Sequence, residues 1–452
     1  MNQSLKKNPK ILFINPKSLG LDALPLPPLG ILSIAAYIRR LGFDNIEVVD
    51  DIFLNLDRDS LFSKIGSADI IGVTGTTSQI KFAIGIAEMA KGLGKFTICG
   101  GPHATPMAKE LLETSSFDIV VQGEGEVTFS ELLRYHGGEM SLEEIKGISY
   151  RRGNEICQND PRELIEDLDS LPFPARDLVP LRDYPVRELK RFEGPYTSIM
   201  SSRGCTDSCI FCAGPLIWRG RYRFRSPENI LQEMVDIHKN YGIKNIHFQD
   251  DTFTAVPANT ARLCDLIIRS GIDFKFSCQT RVDKVDEAAL EKLKEAGCVQ
   301  IEFGAESADI GILATAKKRC SPVAAKRIFD LARKKGLAAY AFFMVGLPGE
   351  TLWSWLKTVI FAKRLRPAGG SIWTVLVPYP GTEAFQKGMV EILDFDYVNW
   401  LYKRPIIRSG MLGPRALSLM RKAADIICNG PFNKGTYEKV RPKNLKVSAA
   451  II

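Results

Sequence analysis

The sequence predicts an α/β protein with two parallel sheets in tandem. Five short apolar runs alternate with helical periodicity over the first third, and six more alternate with helical segments between residues 197 and 377. Prolines gather between the two series. A chain of 452 residues has room for both at about 100–200 residues per domain. Hydrophobic residues at 45% and charged residues at 25% give an ordinary globular profile. A net charge of +8 spread over this length is no argument for DNA binding and mildly favours anionic ligands. The most apolar stretch, 336–347, is shorter than the ~20 residues that a spanning helix needs. The first residues lack the apolar region of a signal peptide, so the expectation is a cytoplasmic protein with no transmembrane segment.

In the first third, strands are expected at 11–14, 46–49, 70–73, 96–99 and 119–121, with helices at 30–41, 79–92 and 126–135. Sheets of this kind bind ligands at the carboxyl ends of their strands. The loops expected there are rich in glycine and hydroxyls: Thr74, Gly75, Thr76 and Thr77; Gly100, Gly101 and His103; Gly123, Glu124 and Gly125. Glycine lets backbone approach a large flat or phosphorylated ligand, and hydroxyls and helix N-termini supply donors. No G-x-G-x-x-G follows the first strand, so NAD and FAD are poor candidates. A hairpin turning at Gly153 and Asn154 comes next, and then a proline-rich connection around 161–195.

The strand expected at 197–201 runs into Cys205, Cys209 and Cys212, three of the ten cysteines. A C-x3-C-x2-C loop can hold an iron–sulfur cubane by three irons and leave the fourth open. A structural zinc site borrowing Cys264 or Cys278 is the alternative. Further strands are expected at 245–249, 275–279, 299–304, 339–345 and 371–377, and helices at 227–241, 257–270, 286–296, 322–335 and 350–365. Six β/α units fit a partial barrel, whose chemistry gathers where strands end. Gln249, Asp250, Asp251, Arg281, Glu306 and Ser307 stand there. Asp250 and Asp251 are adjacent, so they point apart and make a poor acid–base dyad.

These residues together resemble the cobalamin-binding radical S-adenosylmethionine (SAM) enzymes. In that family the fourth strand of an N-terminal Rossmann-like domain leads into GG-x-H-A-T and the fifth into G-E-G-E, matched here by Gly100 to Thr105 and Gly123 to Glu126. The connecting L-P-F-P-A-R-D, residues 171–177, and the C-x3-C-x2-C loop match as well. The resemblance covers roughly 10–385 and implies a cobalamin-binding domain at 8–145, a hairpin and linker at 146–195, a TIM-like radical SAM core at 196–385 and a small, partly helical C-terminal segment at 386–452. It implies a 4Fe–4S cluster on Cys205, Cys209 and Cys212, with the open iron chelated by SAM, and Phe211 beside the adenine. SAM contacts would come from Gln249, Asp250, Arg281 and Glu306, and cobalamin contacts from Thr74, Thr76, Thr77, Gly100, Gly101, His103, Gly123, Glu124 and Gly125. The D-x-H-x-x-G motif that supplies a lower cobalt ligand elsewhere is absent, so cobalt is expected without a histidine of that type.

The activity implied is methyl transfer to an unactivated carbon of a small-molecule or lipid metabolite through a 5'-deoxyadenosyl radical and methylcobalamin. An external reductant such as flavodoxin or ferredoxin would serve it, and the chain is expected to be a monomer. Cyclisation or rearrangement without methyl transfer, tRNA modification, and a non-catalytic cobalamin carrier or sensor are the rivals. Arg219, Arg221, Arg223 and Arg225 alternate with other residues, and in an extended segment they would share one face open to phosphate, carboxylate or RNA. Beyond Thr382 the sequence offers a helix over 414–428 and a basic tail expected to fray.

Overall fold

The computed structural model describes residues 8–18, 26–185 and 192–430. The basic tail and part of the expected connection, residues 186–191, lie outside them. The chain divides into two compact units between Leu181 and Arg182.

In the first unit β1 (Ile11–Asn15), β2 (Ile46–Asp50), β3 (Ile70–Thr74), β4 (Phe96–Gly100) and β5 (Ile119–Val121) are parallel, in the order β2-β1-β3-β4-β5. The turn at Gly153 and Asn154 joins β6 (Ile148–Arg152) to β7 (Glu155–Gln158), and this hairpin adds to β5 antiparallel. The apolar runs become strands because helices such as Leu29–Arg40, Ile80–Gly92 and Gly125–His136 bury both faces of the sheet. Helix Arg58–Ser67 was not expected; it buries only Leu61 and Ile65 and is started by the Asp57 carboxylate, which accepts from Ser60 N–H at 2.7 Å. In this strand order the ligand crevice lies between the carboxyl ends of β1 and β3. A buried polar chain joins the ends of β1 and β2 to the segment after β3: Asn15 donates to Asp50 at 2.8 Å, and Gln79 donates to Asn15 at 3.0 Å and to Pro16 carbonyl at 2.6 Å.

The second unit is an open six-stranded parallel sheet: β8 (Tyr196–Ile199), β11 (Asn245–Phe248), β12 (Lys275–Thr280), β13 (Cys298–Glu306), β14 (Ala338–Val345) and β15 (Gly370–Val375), in that order. Two-residue strands β9 (Ser202–Arg203) and β10 (Arg223–Phe224) pair with each other apart from it. Helices Pro227–Tyr241, Pro257–Arg269, Glu287–Glu295, Pro322–Lys334 and Leu352–Leu365 follow successive strands. Ser226, Asp286, Ser321 and Thr351 cap four of them, two with proline directly after the cap. Phe248, Phe253 and Phe276 pack as one aromatic group in the core.

One expectation changes here. The arginine-rich segment is not a strand with one basic face. Arg219 has φ +51°, Arg221 N–H closes a turn on Trp218 carbonyl at 2.9 Å, and Arg223 is buried with its guanidinium over the Trp218 ring. Arg225 turns inward to Glu233 and to Asn229. Beyond 385, the described residues up to 430 hold a hairpin of Glu391–Ile392 with Ile407–Arg408, a buried Trp400 and the helix expected over 414–428. Helix Pro414–Asn429 then binds β15 through Asn429, which accepts from Ser371 N–H at 2.9 Å and donates to its carbonyl at 2.8 Å.

Candidate active site

In the second unit the loop after β8 carries the three cysteines at the carboxyl edge of the sheet. All three are free thiols and partly buried. Cys205 Sγ lies 3.5 Å from Thr252 Oγ1, and Gly214 N–H donates to Cys212 Sγ at 3.3 Å. Burial pushes the Cys209 and Cys212 thiols up to about 11, so they stay protonated at neutral pH until a metal takes the proton's place. Cys264 and Cys278, which a zinc site would borrow, are buried in the barrel wall, Cys278 against Cys298. Among the described residues no three His, Cys, Asp or Glu side chains converge on one ion. Thiolates that each bind a different corner of a cubane need no such convergence, and three free thiols beside an N–H···S donor fit a cluster.

The cysteine loop is held by ion pairs in which the expected SAM contacts Arg281 and Glu306 take partners, Asp207 and Lys318, that the sequence pattern did not single out. Asp207, inside the loop, pairs with Arg281 at the end of β12, and both side chains are only 6% exposed. Arg281 also grips Asp283 at 2.8 Å and the carbonyl of Arg319 at 2.9 Å. At the end of β13 the register shifts, Glu306 takes φ +58°, and its carboxylate meets Lys318 at 3.2 Å. A side chain at residue 304 would collide with this pair, since a Cβ on Gly304 would lie 2.5 Å from Glu306 Oε1 and 2.8 Å from Lys318 Nζ. Burial opposes the charge on Lys318, but Glu306 and the nearby Cys209 more than offset it and its pKa is raised.

Of the other expected SAM contacts, Asp250 is buried and accepts from Ser201 Oγ at 2.8 Å and from Ser202 Oγ at its closest. Burial pushes its carboxyl up to about 6 despite these donors. Gln249 is half-buried and Asp251 exposed beside it. Phe211 is partly buried against Ile210, Ile312, Ala316, Leu347 and Ala384. Glu350 follows β14. It is buried, accepts the Gly346 N–H, and burial raises its pKa to about 7.

In the first unit the glycine loops do meet at one sheet edge. Gly101 has φ +102°, and a Cβ there would sit 2.6 Å from Thr74 Oγ1 and 3.1 Å from Gly75 N, so the loops after β3 and β4 touch through bare backbone. Gly123 faces open space, with nothing within 4 Å of where its Cβ would be. Thr76 is exposed and bonded to Gln79 at 2.8 Å, while Thr77 is buried, 3.2 Å from His103 Nδ1. Burial lowers His103 to about 4, leaving it neutral at pH 7. Glu124 is buried and turned to the connecting segment after the hairpin, accepting from Ile165 N–H at 2.7 Å, and Gly125 gives room to Ile34. An edge of backbone, threonine hydroxyls and open glycine fits a broad planar ligand such as a corrin.

Residues 199–362 match the radical SAM superfamily and residues 22–133 match the B12 binding domain. An uncharacterized methyltransferase of Pyrococcus horikoshii is 33% identical over 413 residues, which are 88% of this chain and 86% of that protein. The chain belongs to the cobalamin-binding radical SAM enzymes. Its cofactors are those of that family: a 4Fe–4S cluster, SAM and cobalamin. An anaerobic magnesium-protoporphyrin IX monomethyl ester cyclase of Cereibacter sphaeroides is 26% identical over 425 residues, 90% of this chain and 68% of the cyclase. The radical SAM methyltransferase TsrM of Kitasatospora setae, solved with cobalamin and a 4Fe–4S cluster bound, superposes with TM-score 0.69. It covers 83% of this chain and 74% of its own at 19% identity, a likeness of fold. No helix among the described residues is long and apolar enough to cross a membrane.

Proposed function

We propose that this enzyme is a C-methyltransferase acting on an unactivated carbon of a small molecule. The reading is carried by one chain holding both the three-thiol loop and the glycine-lined sheet edge, with a methyltransferase-named relative at 33% identity across 88% of it. When bound, the cluster and SAM supply a one-electron route to a substrate radical, and the corrinoid supplies the methyl group. The chain's own residues hold and orient. Cys205, Cys209 and Cys212 hold the cluster, Gly214 N–H stabilises the Cys212 sulfur, and the Asp207–Arg281 pair fixes the loop that carries them. Gln249 and Phe211 offer SAM a polar and an aromatic surface at the rim. Gly123 admits the corrin ring close to backbone, Gly100 and Gly101 let the loops that hold it close on one another, and Thr74 and Thr76 line its edge. An external one-electron protein reductant such as flavodoxin or ferredoxin completes the system, in the cytoplasm.

The test uses anaerobically prepared holoenzyme, a reductant, candidate substrates and SAM labelled in its methyl group. Methyl transfer predicts label in product together with 5'-deoxyadenosine. A product altered by ring closure and carrying no label would move the chain to the reaction of its cyclase-named relative. Absence of 5'-deoxyadenosine from a cluster-loaded enzyme would reject radical chemistry.

A further inference from the structure

On helix Leu352–Leu365 the buried face is Ser354, Thr358, Val359, Ala362 and Leu365. Its other face should be polar in a water-facing barrel helix. Instead Leu352 is 61%, Trp353 66%, Leu356 38% and Ile360 44% exposed. The remaining exposed positions on the helix are Lys357, Lys363 and Arg364, and it contains no Asp or Glu. Helix Pro414–Asn429 packs beside it, with Cys428 Sγ 3.9 Å from Val359 carbonyl. That helix repeats the pattern: its exposed residues are Arg415, Leu419, Lys422, Ile426 and Ile427. Two carboxylates on or paired with these helices are engaged. Asp309 is half-buried and paired with Lys357 at 3.0 Å, and Asp425 is half-buried and accepts from Asn429 at 2.6 Å.

Single exposed leucines need no explanation, but apolar stripes on two neighbouring helices do. The cation content decides between occupants. A protein–protein interface core is depleted in lysine, whereas a helix lying in a lipid surface presents Trp, Leu and Ile to the acyl chains and Lys or Arg to anionic headgroups. The absence of a membrane-spanning helix among the described residues fits adsorption rather than spanning. We propose that the outer face of helices Leu352–Leu365 and Pro414–Asn429 is a peripheral docking surface for a bilayer bearing anionic lipids. Leu352 and Trp353 begin their helix just after Glu350, at the strand-end side that carries the cysteine loop, so docking would bring the barrel rim to the lipid surface.

The experiment is flotation of the cofactor-loaded full chain with phosphatidylglycerol–phosphatidylcholine vesicles, against phosphatidylcholine alone, at low and high salt. The expected result is binding to the anionic vesicles that weakens about tenfold or more without anionic lipid or in high salt. Leu352→Ser with Trp353→Ser and Ile360→Ser, and separately Lys363→Glu with Arg364→Glu, should each weaken binding about tenfold or more at unchanged iron content. Wild-type protein that stays with the buffer, or variants that float like wild type, would overturn the proposal. So would a dimer in sedimentation velocity that the same variants dissolve, because the face would then bind a second copy.

Discussion

Replacing Arg281 with alanine removes a cation that reaches three acceptors around the cysteine loop: Asp207, Asp283 and the Arg319 carbonyl. Asp283 is 37% exposed and can turn to water, so its loss of a partner is minor. Asp207 is 6% exposed and would be left as a buried, uncompensated carboxylate. Breaking a buried pair in this way costs about 3–5 kcal/mol. At about 1.4 kcal/mol per tenfold, the open form of the loop rises by about two to three and a half orders of magnitude. The assay is iron content and the visible spectrum of anaerobically purified protein, beside chemical denaturation of the metal-free chain. Arg281→Ala should lose most of its iron and unfold earlier; Asp207→Asn, which keeps shape and removes the charge, should lose less. If Arg281 instead contacts SAM directly, Arg281→Ala would keep its cluster and lose only SAM affinity. A variant with full iron and unchanged stability would refute the loop-anchor reasoning.

Gly101→Ala should weaken cobalamin binding at least tenfold in a titration of the reconstituted protein, because φ +102° and the 2.6 Å approach to Thr74 Oγ1 leave a methyl group no place. Glu350 has a pKa raised to about 7 from 4.5 by burial, so between those values the folded chain holds a proton that the unfolded chain releases. Its contribution is therefore complete below pH 4.5 and is lost as pH rises towards 7, with a slope of at most about 1.4 kcal/mol per pH unit. Glu350→Gln should remove that slope in denaturation midpoints measured from pH 5 to 7.5, and an unchanged slope would assign it elsewhere. The Co(II) EPR signal of the loaded enzyme should lack nitrogen splitting from an axial histidine, and His103→Ala should leave it so, since His103 Nδ1 faces the Thr77 hydroxyl. Nitrogen splitting that vanishes in the variant would make His103 a cobalt ligand.

Both sheets could be read from the chain because parallel strands buried on two faces are near-continuous apolar runs, such as Ile70–Thr74 and Ala338–Val345. Two of the outer helices begin at the expected residues, Pro227 and Pro322, since the cap and first-turn chemistry at Ser226 and Ser321 is local. What escaped is set by weak or non-local forces. Helix Arg58–Ser67 has too few buried positions to show a period. The alternating arginines satisfied a period of two that the left-handed Arg219 and the closeness of Arg223 to Trp218 override. The three cysteines were legible through spacing alone, whereas Asp207–Arg281 joins residues 74 positions apart by number and has no local signature.

This non-local pairing follows from the architecture. A parallel barrel ends its strands in a rim where polar side chains are half dry, and a buried charge there must find a partner or lose its charge. Asp207 takes Arg281, Glu306 takes Lys318, and Asp250 takes the hydroxyls of Ser201 and Ser202. Each of these sets ties a different strand end to the loop or its flanks: β12 to Asp207, β13 to the segment beside Cys209, and the segment after β11 to the residues just before Cys205. Strand-end polarity at Asp250, Arg281 and Glu306 thus has partners that hold a three-cysteine loop still. The side chains that keep free surface at that edge, Gln249 and Asp251, are where substitutions should change ligand affinity without changing iron content.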